Sequence, residues 1–175
     1  LGAKEQGADA TGGRWLVIPR TLCFVFNGDD VLLMKRAPHR RVFPNRYNGV
    51  GGHIERDEDP QTGARREIRE ETGLEVTDLR LRGVYNIDAG EATGIVLYVY
   101  TAASPSREIT VESDEGTLRW VARGEALALD LVEDLPLILP RVFAADETTP
   151  PFSAYVSYDD ADALVMRFAD SQEDE

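Results

Sequence analysis

Apolar positions along the chain fall into short β-forming runs, interrupted by one long polar interval with the period of a helix. Residues 21–26 and 31–35 are two such runs, and Asn27, Gly28, Asp29 and Asp30 between them favour positive φ and tight reversal, which predicts a hairpin. A basic, proline-containing stretch (36–46) follows, then the apolar and glycine-rich piece 47–52, read as strand leading into loop. From Asp59 the pattern changes: Asp59 can cap a helix, Pro60 suits its first position and Gly73 supplies a stop, so a helix is expected over 60–72. Its apolar stripe is thin, Ala64 and Ile68, and it needs a sheet to pack against. Further β-like runs lie at 79–87, 95–102 and 118–121. A second helix is expected over 131–143, interrupted or bent by Pro136 and Pro140, and a closing hairpin from 152–158 and 163–168. Strands interleaved with helices point to one α/β domain with a mixed sheet over 15–170, preceded by a flexible leader (1–14) and followed by an acidic tail (171–175).

Composition narrows the function. With 32 acidic and 19 basic residues the net charge is −13, which repels a polyanionic backbone, so no nucleic-acid partner is expected. No apolar run approaches the roughly 20 residues that cross a bilayer, and the start lacks the pattern of a secretory signal, so the chain reads as cytoplasmic with no membrane partner. Oligomeric state is not legible. The single cysteine, Cys23, lies inside an apolar run and reads as a core residue. With only His39 and His53, a histidine–cysteine zinc site is not expected, and neither a Gly-x4-Gly-Lys-Ser/Thr loop nor a Gly-x-Gly-x-x-Gly signature occurs.

Chemistry concentrates between Gly52 and Leu74. On a helix Glu67 stands four residues before Glu71 and three before Glu70, so three carboxylates share one side within a turn. In a cleft such a cluster is offset by a cation, and oxygen-only ligands select a hard one, Mg2+ or Mn2+. Arg65, Arg66 and Arg69 are mixed among the acids, and a solvated, salt-bridged helix face would carry the same residues.

Spacing decides between the two. Gly52, five residues, Glu58, seven residues, Arg66, Glu67, Ile68, one residue, Glu70, Glu71, one residue, Gly73 and Leu74 fill every position of the Nudix box. The chain resembles the Nudix hydrolases, which implies an α/β/α sandwich with a mixed β-sheet and a catalytic loop–helix–loop. The resemblance implies that Glu67, Glu70 and Glu71 bind the metal, with Glu67 or a later glutamate orienting or deprotonating the attacking water. It also implies that Arg66 and Glu58 pair to hold loop against helix, and that Gly52 offers its carbonyl to the metal. A distant loop often adds a glutamate, and Glu115, ahead of Glu112, matches it. Arg56 and Asp57 depart from the common Gly-Glu at variable positions, and His53 fills another variable position.

Beyond the box the chain is similar to the MutT branch, and within it to the mammalian oxidised-purine nucleoside triphosphatases, through residues 46–52, the acidic pair Glu133 and Asp134, and the aromatic closing hairpin. That similarity implies that Asn48, Glu133 and Asp134 face the base, and that Arg36, with His39, Arg40 and Arg41 in a lengthened loop, is a cation for phosphates or solvent. Where those enzymes carry a stacking tryptophan this chain has Leu131, which packs but cannot stack. The implied activity is nucleoside triphosphate pyrophosphohydrolysis of an 8-oxo-dGTP-like or other non-standard nucleotide. An ADP-sugar or dinucleoside polyphosphate pyrophosphatase, and a non-catalytic nucleotide sensor, are the alternatives.

Overall fold

The hairpin of residues 21–35 is present, and its first strand is longer than the apolar run that announced it. In the computed structural model, which describes residues 2–9 and 12–171, β1 is Leu16–Asn27 and β2 is Asp30–Arg36. They pair antiparallel over only three positions, Val25 to Asn27 against Asp30 to Leu32, and then diverge. The rest of β1 runs parallel to β5 (Thr93–Ala103) from Leu16 to Phe26. That partner explains the early start of β1, because exposed residues such as Leu16 and Val17 gain backbone hydrogen bonds that no local pattern reveals.

The glycine-rich piece fills the gap where β1 and β2 part. The short strand β3 (Tyr47–Asn48) pairs with Lys35 and Met34 of β2, while Val50 and His53 bridge to Cys23 and Arg20 of β1. Close approach dictates the residue type: Gly51 has φ 145°, and a Cβ there would stand 2.2 Å from the Thr21 carbonyl oxygen.

The sheet is completed by β4 (Thr77–Ile87), β6 (Gly116–Ala122), β7 (Phe152–Tyr158) and β8 (Leu164–Phe168). Its order is β3-β2-β1-β5-β4-β7-β8, with β6 on the other edge of β2, and it mixes parallel β1–β5 and β4–β7 pairs with antiparallel ones.

Helix α1 (Pro60–Thr72) covers one face. Asp59 caps it, Oδ1 accepting from the N–H groups of Gln61 and Thr62 at 2.9 Å each, and Gly73 ends it in the left-handed region. Ala64 and Ile68 pack there on Cys23, Val25 and Leu32. Helix α3 (Leu135–Ala144) covers the other face, where Leu135, Ile138 and Leu139 meet Leu22, Phe24 and Leu33. Adjacent residues of β1 thus serve opposite cores, which is why residues 21–26 read as continuously apolar. Cys23 is fully buried, and burial pushes its thiol up.

Two sequence expectations need adjustment. The second helix begins at Leu135, not at residue 131, because the preceding segment is strapped to β3: the Tyr47 N–H donates to the Asp130 carbonyl at 2.8 Å and the Val132 N–H to the Tyr47 carbonyl at 2.9 Å. Pro136 therefore sits in the first turn, where its missing N–H costs nothing, and Pro140 is carried inside the helix. A one-turn helix α2 (Arg123–Ala126) was not anticipated. The described part of the leader includes a 3₁₀ turn, Ala3–Gln6, and the expected acidic tail lies outside the described residues beyond Ser171. No helix among the described residues is long and apolar enough to cross a membrane.

Candidate active site

One guanidinium organises the box. Arg66, on α1, donates from Nε to Glu58 Oε2 at 3.0 Å and from Nη2 to Glu58 Oε1 at 2.6 Å. Nη2 also reaches the His53 carbonyl at 3.0 Å, and Nη1 reaches Glu67 Oε1 at 3.0 Å and Glu70 Oε2 at 3.1 Å. Arginine's planar fork allows this where lysine would not, because it grips one carboxylate with two bonds and still has donors for a loop carbonyl and two more acids. The loop is thereby fixed to the helix, and the Arg66 bond, with the Glu55 N–H, holds the Glu58 carboxyl below its ordinary range.

Glu67 and Glu71 lie a turn apart and face the glycine-rich segment. A Cβ on Gly52 would come within 2.6 Å of Glu67 Oε1, so only glycine lets the acid stand there. Glu71 Oε2 accepts from the Gly51 N–H at 2.9 Å. Burial raises the Glu67 carboxyl against the pull of Arg66. Glu71 is pushed up to about 7, first by burial and then by the charges of Glu67 and Glu115, while the Gly51 N–H and Arg36 pull the other way. Glu70 is different: its side chain is 60% exposed and looks to solvent apart from Arg66.

Among the described residues no three acid, histidine or cysteine side chains already stand as a closed metal cage. Glu67 is turned onto Arg66 and Glu71 onto Gly51. What fits a cation is the chemistry of the donor set, two part-buried carboxylates that burial pushes up and that offer only oxygen to a hard ion. The Gly52 carbonyl accepts from the Thr21 N–H at 2.8 Å and, at 3.5 Å, from the Thr21 hydroxyl.

Two loops close over this end of α1. Glu115, just before β6, pairs with Arg40 at 2.9 Å, and its carbonyl accepts from the Ala37 N–H at 2.9 Å. Arg40 of the lengthened loop is thus occupied in holding Glu115. Beside them lies an open cavity of about 330 Å³ lined by Lys35, Arg36, His39, Ser113 and Thr117 among others; it flanks the box carboxylates and does not contain them.

The base-side candidates divide. Asn48 Oδ1 is taken by the N–H of its neighbour Gly49 at 2.9 Å. Glu133 points outward to Arg46, 3.7 Å away. Asp134 points inward: it is 7% exposed, Oδ2 accepts from the Tyr85 hydroxyl at 2.5 Å, and Oδ1 is buried with no hydrogen-bond partner. Burial raises the Asp134 carboxyl. Leu131 is buried in the α3 core beside Tyr47. Tyr85 was not singled out by sequence. The only signal for it is general: a buried tyrosine hydroxyl needs a partner, and here that partner is 49 residues away in the chain.

Comparison with known proteins agrees with this geometry. The NUDIX domain model matches residues 17–142. The nucleoside triphosphatase NudI of Enterobacter sp. (strain 638) is 32% identical over 118 residues, 61% of this chain and 83% of the relative. The MutT protein of Bacillus halodurans superposes with a TM-score of 0.74 at 24% identity, covering 88% of this chain and 99% of that one. A MutT NUDIX hydrolase of Burkholderia pseudomallei gives 0.60 at 26% identity, covering 71% and 97%. The chain belongs to the Nudix family, whose members generally use divalent metal ions, and it is a Nudix hydrolase of the MutT type acting on acid anhydrides.

Proposed function

We propose that the protein is a magnesium-dependent nucleoside triphosphate pyrophosphohydrolase that converts a non-standard nucleotide of the 8-oxo-dGTP kind, in the cytoplasmic pool, into a nucleoside monophosphate and pyrophosphate. The observation that carries this reading is the pair of part-buried acids, Glu67 and Glu71, set against glycine backbone where only a cation relieves them. Glu67, Glu71 and the Gly52 carbonyl hold Mg2+, or Mn2+ in its place, with Glu70 and Glu115 supplying further carboxylates from the helix end and the facing loop. The ion supplies charge to the phosphoryl oxygens and acidity to bound water.

The remaining work falls to the chain. Arg66 keeps Glu67 and the His53 carbonyl in register, as its fork to Glu58 fixes the loop. Glu67 or a later glutamate of the helix receives a proton as the water oxygen bonds to phosphorus and the α–β anhydride P–O bond breaks, releasing pyrophosphate. Arg36 meets phosphate. Asn48 Nδ2, Glu133 and the unpartnered Asp134 Oδ1 read the base edge. Relatives named nucleoside triphosphatase support the substrate class.

A panel of 8-oxo-dGTP, ordinary dNTPs and ADP-ribose, with and without Mg2+, tests the reading. The expected result is Mg2+-dependent pyrophosphate plus monophosphate from a triphosphate. Two monophosphate fragments from ADP-ribose, with no pyrophosphate from any triphosphate, would overturn it.

A further inference from the structure

Several arginines around the box, Arg40, Arg46 and Arg66 among them, lie within 4.0 Å of a carboxylate. Among the described residues neither Arg20 nor Arg36 has an acidic partner, although the chain carries 32 carboxylates against 19 cationic side chains. Arg20 is half-buried on β1, in register with His53 of the box loop, and its Nε is buried with no hydrogen-bond partner. Its nearest charge of consequence is a like one: burial first, and then Arg36, push its guanidinium below the ordinary value. Arg36 is anchored by Nε donating to the Val42 carbonyl at 2.7 Å, and it lines the open cavity of about 330 Å³. Arg36 is also close enough to act on Glu71.

An unpaired, part-buried cation beside a second cation is unfavourable in the ligand-free protein, and an anion shared between them removes both penalties. Arginine is suited to that role because its fork matches phosphate oxygens two at a time. Placement agrees. Along β1, Leu22 and Phe24 face the α3 core while Cys23 and Val25 face α1, so alternation puts Arg20 on the α3 side of the sheet, the side of Asp134, whereas Arg36 reaches toward Glu71. A nucleotide with its base near Asp134 and its anhydride near Glu71 carries its phosphates past these two guanidiniums.

We infer that Arg20 and Arg36 form a two-arginine clamp for the polyphosphate chain, with Arg20 a substrate-binding residue that acts with the box but lies outside it. The inference rests on the proposed nucleoside triphosphate activity for its natural ligand, but the clamp itself binds polyphosphate without metal. It therefore predicts that the full chain in EDTA binds inorganic tripolyphosphate, with an affinity that falls as salt rises.

The test is calorimetric titration of tripolyphosphate into the metal-free protein, alongside steady-state kinetics, for wild type, Arg20→Ala and Arg20→Lys. Arg20→Ala is expected to weaken tripolyphosphate binding and raise KM by about 10- to 100-fold with a smaller change in kcat, and Arg20→Lys to recover part of the loss. Thermal unfolding separates binding from scaffolding: losing an unpaired cation leaves the ligand-free Tm unchanged or higher. Tripolyphosphate affinity and KM both within twofold of wild type would overturn the clamp, as would a lowered Tm with unchanged KM. If Arg20→Ala loses tripolyphosphate binding but wild type hydrolyses no triphosphate, the clamp stands and the proposed substrate fails. If wild type hydrolyses triphosphates and Arg20→Ala is indistinguishable from it, the substrate stands and the clamp fails.

Discussion

The two faces of the sheet each bury acid, and they do so by opposite means. On the α1 face, Glu58, Glu67 and Glu70 share one arginine, and Glu71 leans on a backbone N–H beside them, so the charges are crowded but bound into a network. On the α3 face Asp134 is alone, more deeply buried, and satisfied at one oxygen by Tyr85 and at the other by nothing. The first arrangement stores electrostatic tension that a cation can discharge. The second holds a single carboxyl that burial pushes up, with one oxygen left without a partner, which suits the reading of a base edge more than the holding of a metal.

The largest expected effect comes from removing the α1-face acid with the most perturbed titration. Glu71→Gln keeps a side-chain acceptor for the Gly51 N–H but cannot take a proton or a metal charge, so kcat for pyrophosphate release is expected to fall about 10³-fold. The metal-free variant at pH 8 should be no less stable than wild type, because a carboxylate made unfavourable by burial has gone. A destabilised variant with preserved turnover would show that Glu71 is a structural acid.

Breaking the α1-face network comes next. Glu58→Gln removes the charge that Arg66 grips with two bonds and is expected to cost about 2 kcal/mol, a fall in Tm of about 4–8 °C, with about a tenfold loss of kcat as Glu67 loses its fixed neighbour. The α3 face supplies the contrasting case. Tyr85→Phe leaves Asp134 buried with no donor on either oxygen, at a cost of about 1–3 kcal/mol visible in urea or thermal unfolding. Its kinetic signature should be a change in KM and base preference with kcat largely retained, the reverse of Glu71→Gln.

The contrast also separates what sequence could tell from what it could not. The α1 face is written locally: Asp59, Pro60 and Gly73 bound the helix, the spacing of Glu67, Glu70 and Glu71 sets their common side, and Arg66 meets Glu58 eight residues away. The α3 face is written across the fold. Tyr85 finds Asp134 through sheet order, and residues 131–134, apolar enough to read as helix, become a strap because the Tyr47 backbone donates to the Asp130 carbonyl and accepts from the Val132 N–H. Arg20 was equally hidden. It lies in the exposed start of β1, beyond the apolar run, and its meaning depends on which charges the fold does not bring to it.

The smallest effect tests the tension on the α1 face directly. Glu71 titrates at about 7 in the folded protein and near the ordinary glutamate value when unfolded, so the folded state binds its proton more tightly. The stability owed to that proton is complete below the unfolded value and is lost as pH rises toward 7; in EDTA, Tm should therefore decline across this window, and less steeply in Glu71→Gln. Mg2+ competes with the same proton. Its affinity should rise from pH 6 to about 7.5 and then level off, and binding at pH 7 should release about half a proton, readable by calorimetry in buffers of different ionisation enthalpy. Asp134→Asn on the opposite face should leave both the proton count and the magnesium affinity unchanged, because that carboxyl answers to Tyr85 and burial and not to the cluster on α1. A proton count that follows Asp134 instead of Glu71 would place the ion on the wrong side of the sheet for the chemistry proposed.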